Sequence, residues 1–425
     1  MAKKVGILSL GCARNLVDSE VISGVLKEKN YEILDLGSFE NSLEQAGEVD
    51  IALVNTCAFI KEAKEESIRS ILDLIELKKE GKLKKIIVAG CLSQRYKDEL
   101  LRQLPEIDAF LGIVSLNHSS KRFRLTPAHY AYVKICEGCI NHCSFCTIPS
   151  IKTKFRSRIR ESIISEIRDL DKGPCREVNI IGQDITAYGW DLYRESRLTV
   201  LIEELLENSS KIDWFRLLYL SPLRLSDGLL RLIANHNRIA KYIDLPLQHI
   251  NDRILKSMQR NIDSAQIRKL IGKIRRISLP LAIRTTLIVG FPGETEKEFN
   301  ELLEFVKEVK FERLGLFMYS SEEGTKAFGF PAQVPQKIKE ERYNIIMSCQ
   351  QDIAREVNER WQDKVLKVLI EARQEDGVYL GRTQYDAPEV DGSVFVKSVK
   401  ELPVGNFIDA RVIDTLAYDL VAQAV

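Results

Sequence analysis

No run of this chain is apolar and long enough to cross a membrane, and none follows Met1-Ala2-Lys3-Lys4. The sequence therefore offers neither a spanning helix nor a secretory leader. It also lacks an excess of charge of one sign. With 62 Lys and Arg against 61 Asp and Glu, the net charge of +1 exerts no bulk attraction on nucleic acid, so any polyanion binding must come from a local patch. A paired cysteine set is missing too. Nine cysteines, an odd number without a leader, argue against a disulfide-stapled secreted scaffold and for the cytoplasm. What is present is bulk: 425 residues, 45% of them hydrophobic, enough for two or three domains with real cores.

The most informative stretch is Cys139-Ile140-Asn141-His142-Cys143-Ser144-Phe145-Cys146. Its C-x3-C-x2-C spacing follows an apolar strand at Tyr130 to Ile135 and puts three thiolates on one short loop. Three thiolates hold three irons of a 4Fe-4S cluster and leave the fourth iron open for a ligand. The competing reading is a structural zinc site, since Cys136 brings four thiols within eleven residues. Zinc sites usually pair two C-x2-C knuckles across a longer gap, and the x3 spacing here is not of that kind. Cys136 is then a strand-end residue pointing away from the loop.

Along the chain, strand-like runs first alternate with amphipathic stretches: Val5 to Leu10 then Val17 to Lys29, Ile51 to Val54 then Lys61 to Lys79, Lys85 to Ala89 then Gln94 to Leu104. The pattern predicts a doubly wound parallel sheet. Each main strand runs into a cysteine, Cys12, Cys57 and Cys91. Parallel strands joined by right-handed crossovers end on one sheet edge, so the three should converge as a second three-thiolate site, although buried cysteine is common enough to explain any one of them alone. Gly11 and Gly90 beside them would let the backbone approach a bulky group.

After a polar junction at Val114 to Pro127, six further βα units follow. Their candidate strands are Ala131 to Cys136, Glu177 to Ile181, Phe215 to Leu220, Tyr242 to Leu245, Ala282 to Gly290 and Leu314 to Tyr319. Six units predict a partial barrel with its active site at the C-terminal strand ends, where the cysteine loop falls. The last part, from about Trp361, reads as short strands at Val365 to Ala372, Val378 to Arg382, Ser393 to Val396 and Phe407 to Thr415, a small β-barrel module. Residues 360–425 carry 8 Lys and Arg against 11 Asp and Glu. That makes the module a poor phosphate binder and a better match for a basic protein.

The run Ser9-Leu10-Gly11-Cys12-Ala13-Arg14-Asn15-Leu16-Val17-Asp18-Ser19-Glu20, with Asn55-Thr56-Cys57, Ala89-Gly90-Cys91 and the cysteine loop, resembles the methylthiotransferase family of radical S-adenosylmethionine enzymes over essentially the whole chain. The resemblance implies three modules: 1–117 carrying an auxiliary 4Fe-4S cluster on Cys12, Cys57 and Cys91, 125–358 forming a partial (β/α)6 radical S-adenosylmethionine barrel with its cluster on Cys139, Cys143 and Cys146, and 359–425 similar to a TRAM domain. Arg284-Thr285-Thr286 before Val289-Gly290-Phe291-Pro292-Gly293-Glu294-Thr295, and Asp386-Ala387-Pro388-Glu389-Val390-Asp391-Gly392, resemble the branch that methylthiolates the β-carbon of an aspartate in small-subunit ribosomal protein twelve. The branch acting on adenosine in tRNA matches less well, and a non-enzymatic iron-sulfur carrier is the remote alternative. The implied partners are that ribosomal protein, or the subunit bearing it, and an electron donor, with RNA contact not dominant. Departures from the family's pattern are Cys136 and Thr153.

Expected cofactor contacts are Phe145 as a packing residue or a wall for adenine, Gln183, Asp184 and Tyr188 after the second barrel strand, Arg156 and Arg158 as a carboxylate clamp or a solvated basic run, and Gly290 near the start of a helix at Thr295. No side chain is expected to act as acid or base, since hydrogen abstraction from an unactivated carbon is the work of the cofactors. His249 reads as structural.

Overall fold

The computed structural model describes residues 3–37, 48–114, 116, 122–152, 154–277 and 280–425. Thr153 and much of the 114–127 junction lie outside the described residues.

Strands β1 (Lys4–Ser9), β2 (Glu32–Asp35), β3 (Ile51–Thr56), β4 (Lys85–Gly90) and β5 (Ala109–Phe110) form one sheet in the order β2-β1-β3-β4-β5. Every pairing is parallel. The runs are apolar on both faces, as they must be in a sheet covered on both sides. Leu8, Val54, Ile86 and Val88 pack under the helices Lys61–Lys79 and Cys91–Gln103, whereas Val5, Ile7, Leu53 and Ala89 face Ile22 and Leu26 of the helix Ala13–Glu28. That first helix starts four residues before the expected Val17. Its buried positions include Asn15, Asp18, Ser19, Glu20 and Ser23, so apolar periodicity did not mark its beginning: it lies between the sheet and the next module and buries polar groups on both sides, Asn15 and Ser19 toward Thr56 and Ser9, Asp18 and Glu20 toward Lys134 and Arg122.

Strands β6 (Tyr130–Lys134), β9 (Glu177–Ile181) and β10 (Trp214–Leu217) make one parallel sheet, and β11 (Tyr242–Gln248), β12 (Ala282–Val289) and β13 (Arg313–Met318) another. A bridge at Phe215 and Ile239 and the Leu220 N–H donating to Asp244 O at 3.0 Å carry the curve from one to the other. Among the described residues β6 and β13 do not pair, so the six strands are a partial barrel. A short hairpin, β7 (Cys136–Glu137) with β8 (Arg156–Ser157), brackets the cysteine loop.

After the helix Gln336–Glu359, strands β14 (Val365–Glu375), β15 (Val378–Arg382), β16 (Val394–Lys397), β17 (Phe407–Thr415) and β18 (Leu420–Ala424) close a small barrel in the order β14-β15-β16-β18-β17 around Val368, Ile370, Val394, Val396, Val412 and Ala422. The final strand was not expected. Its Leu-Val-Ala-Gln-Ala run is short, and what makes it a strand is the parallel pairing with β16 that closes the barrel.

The loop between β15 and β16 plugs the N-terminal end of the large barrel. Ala387 packs among Tyr130, Tyr132, Tyr242 and Ala282. Arg313, the first residue of β13, holds Asp386, Tyr130 OH donates to Glu389 Oε1 at 2.8 Å, and Tyr242 OH donates to Asp391. Two of the module's carboxylates, Asp386 and Asp391, are thus not free surface charges but buried in ion pairs that bolt the modules together, while Glu389 stays exposed.

Candidate functional site

Cys12, Cys57 and Cys91 follow β1, β3 and β4, three adjacent strands of the first sheet, and their charges act on one another. Asn15 ties the edge together. Its Nδ2 donates to Leu10 O at 3.1 Å and Thr56 O at 2.9 Å, and its Oδ1 accepts from the Cys91 thiol at 3.7 Å. Gly11, at φ +87°, lies so close that a Cβ there would stand 2.6 Å from Cys57 Cβ. Burial, aided by neighbouring Cys12, pushes the Cys57 thiol up to about 11, and burial raises Cys91 to about 12 despite Lys152. Cys12 differs. Burial disfavours its thiolate, yet Arg14 and the N–H groups of Asn15 and Arg14 outweigh burial and hold it below the ordinary value.

The second cysteine loop is pinned at its middle. Ser144 N–H donates to Met258 O at 3.0 Å and Ser144 Oγ to Ser257 O at 2.7 Å, and Ser144 O accepts from the Ala327 N–H at 2.8 Å. Asn141 donates to Cys139 Sγ from its backbone at 3.4 Å and its side chain at 3.3 Å, and Arg260 Nη1 donates to Cys143 Sγ at 3.5 Å. Such N–H···S bonds tune a thiolate ligand. Burial pushes Cys146 up to about 12.

Cys139, Cys143 and Cys146 open on a cavity of about 410 Å³. All three modules line it. Arg14 and Phe59 come from the first sheet, Val390 from the terminal module, and Gln183, Asp184, Tyr219, Asp244 and Arg284 from the barrel. Thr147 Oγ1, one residue past Cys146, donates to Phe59 O at 3.3 Å, so the two cysteine regions touch. Gln183 Oε1, Gln248 Oε1 and Arg260 Nε are buried in this lining without a hydrogen-bond partner; such atoms await a bound molecule.

Both thiol sets fit 4Fe-4S clusters held by three ligands. Cys136 is fully buried in the barrel core, its thiol directed at Asp184 O at 3.6 Å and against Gly182, where a Cβ would come within 2.4 Å of Sγ.

Of the expected cofactor contacts, the structure brings Phe145, Gln183 and Asp184 to the cavity. Asp184 is fixed there by Asn141 Nδ2 at 3.0 Å and by Arg224. Four others are not there. Tyr188 is buried in the core with its OH on Arg158 O at 3.1 Å. Arg158 is spent on Glu166 and Ser162. Arg156 is exposed on the β8 edge. Gly290, at φ +71°, packs against Lys339 and donates to Glu294 Oε2 at 3.0 Å. Arg156 and Arg158 lie in or directly after β8, Gly290 directly after β12 and Tyr188 seven residues after β9, and none of them faces the cavity. The reading missed Arg14, Tyr219, Asp244 and Arg284. Arg14 stands inside the Gly-Cys-Ala-Arg-Asn run, and the others are inward positions whose facing only the closed barrel determines.

Residues 133–306 match the radical SAM superfamily, 4–112 the uncharacterized protein family UPF0004 and 364–425 the TRAM domain. Over most of its length the chain is similar in fold to the radical S-adenosylmethionine methyltransferase TsrM from Kitasatospora setae, with a TM-score of 0.51 at 12% identity over 92% of this chain and 82% of that one. It is likewise similar to the cobalamin-dependent S-adenosylmethionine radical enzyme OxsB, with a TM-score of 0.51 at 14% identity over 83% and 56%. The family match over residues 133–306 and the cysteine loop define a radical S-adenosylmethionine enzyme. The ribosomal protein uS12 methylthiotransferases RimO of Desulforamulus reducens, 44% identical over 99% of each chain, and of Geobacter sulfurreducens, 43% identical over 100% of this chain and 99% of that one, narrow the class. The chain belongs to the RimO family of methylthiotransferases.

Proposed function

We propose that this enzyme attaches a methylthio group to the β-carbon of an aspartate of ribosomal protein uS12, in the cytoplasm, with electrons from an external donor and without a dominant RNA contact. The observation that carries the reading is the pair of three-thiol sets whose loops touch beside one cavity. Cys139, Cys143 and Cys146 would hold one 4Fe-4S cluster and Cys12, Cys57 and Cys91 the other. When bound, the first supplies the electron that cleaves S-adenosylmethionine to a radical-forming fragment and the second supplies the sulfur for transfer.

The chain's own residues hold and orient. Asn141 and Arg260 steady Cys139 and Cys143 by N–H···S bonds, Asp184 is locked by Arg224, and Phe145 offers an aromatic wall. Phe59 at 41%, Phe317 at 49% and Val390 at 59% exposure make an apolar rim through which a loop of a protein substrate can enter, excluding water behind it.

The test is mass spectrometry after anaerobic reconstitution and incubation with S-adenosylmethionine, a reductant and either uS12 or tRNA. uS12 heavier by about 46 Da, one methylthio group replacing hydrogen, is the expected result. A gain on tRNA adenosine with uS12 unchanged would overturn the substrate assignment.

A further inference from the structure

Among the described residues Arg14, Arg260 and Arg284 line the cavity, with Arg224 and Lys134 behind it, and their partners separate them. Arg284 is held by Asp244 and Asp391, Arg224 by Asp184, and Lys134 by Asp18 and Glu137. Arg260 spends one Nη on Cys143 Sγ and the other on Pro246 O. Arg14 is the exception. Among the described residues it has no carboxylate partner: its side chain donates from Nη1 to Gly182 O at 3.0 Å, and its other hydrogen-bond partner is the Cys12 thiol.

Arg14 is also held by a built site. Its guanidinium carbon lies 4.5 Å from the centre of the Tyr219 ring. Tyr219 adopts φ +64°, a costly conformation for a bulky residue, and is kept there by its N–H donating to Asp244 Oδ2 at 2.8 Å and its carbonyl accepting from the Ile185 N–H at 3.2 Å. A ring under the flat face leaves the guanidinium edge directed elsewhere. Arg14 lines the cavity together with Cys139, Cys143 and Cys146 of one thiol set, and it stands two residues from Cys12 of the other.

A planar, permanently charged fork with donors to spare is the group that matches a carboxylate by two parallel hydrogen bonds. We infer that Arg14 receives the side-chain carboxylate of the substrate aspartate and thereby sets both its position and the enzyme's preference for an acidic residue. The inference rests on the proposed uS12 reading and deepens it. The carboxylate carbon of aspartate is bonded directly to the β-carbon, so a clamp on one fixes the other within a single bond, between the two thiol sets. A neutral asparagine of the same shape would give Arg14 a hydrogen-bond acceptor but no opposite charge.

The experiment uses the reconstituted holoenzyme and full-length uS12 carrying either the native aspartate or asparagine at the target position, with dissociation constants from fluorescence anisotropy and product from mass spectrometry. Wild-type enzyme should bind the aspartate form about 10- to 100-fold more tightly than the asparagine form, the range of a charge-assisted pair. Arg14→Met should bind both forms alike, and Arg14→Lys should restore part of the ratio. Equal binding of the two uS12 forms by wild-type enzyme overturns the inference whatever the variants do, and so does an Arg14→Met enzyme that keeps the wild-type ratio. Wild-type enzyme that neither binds nor modifies uS12 would instead remove the substrate reading beneath it, and the inference with it.

Discussion

Arg313, at the start of the last large-barrel strand, donates from Nε to Asp386 Oδ1 at 2.9 Å across the boundary with the terminal module, and both side chains are buried. Thr383 Oγ1 donates to the other carboxylate oxygen at 2.6 Å, so Asp386 is fully engaged. Removing one partner of such a pair leaves the other charge buried alone, at a cost of about 3–5 kcal/mol. Asp386→Ala should lower the urea midpoint and speed proteolytic release of the terminal module. An unchanged midpoint would mean the plug loop contributes little to docking.

Iron content should divide between the two thiol sets. Reconstituted protein should carry about eight irons. Replacing Cys139, Cys143 and Cys146 together by alanine should halve the iron and abolish 5'-deoxyadenosine formation, whereas the triple change at Cys12, Cys57 and Cys91 should halve the iron and leave that product forming. Loss of all iron in the second variant would contradict two independent sites.

Two small substitutions should behave oppositely. Gly11→Ala forces a Cβ to 2.6 Å from Cys57 Cβ at a positive φ, so it should displace Cys57 and lose about half the iron. Cys136→Ser, at a thiol turned into the barrel core beside Gly182, should keep all of it. Iron analysis of the two purified variants decides both, and iron loss from the serine variant would make Cys136 a ligand.

Acid stability should contain a term from Glu298. Side-chain hydrogen bonds from Arg253, opposed by burial and aided by the Thr295 cap, hold its carboxyl at about 2 against an ordinary 4.5. A depressed carboxyl stabilises the fold above its unfolded value and loses that contribution as pH falls through the folded one. Glu298→Gln should therefore be less stable than wild type at pH 7, and the gap should close between about pH 4.5 and 2. A gap constant over that range would show that the capping geometry alone, and not the charge, matters.

Much of the site was legible from sequence because it depends on short-range order. The C-x3-C-x2-C spacing puts three thiols on one loop whatever surrounds it, and period-two and period-3.6 patterns place Cys12, Cys57 and Cys91 after parallel strands that end on one edge. The tertiary structure decided what side-chain direction and long-range charge pairing control. Arg158 follows β8 directly and Tyr188 lies in the loop after β9, but they face Glu166 and the core. Asp386 and Asp391 count in sequence only toward the acidic balance of the last module, and in the structure they are buried against Arg313 and Arg284. Arg14 appears in sequence as one basic residue beside a cysteine, and only the packing of the first module on Gly182 and Tyr219 sets it in the cavity lining without a carboxylate partner among the described residues. Sequence fixes which groups a strand end carries. Which of those groups keep a free valence depends on partners that lie up to hundreds of residues away along the chain and meet only when the modules pack.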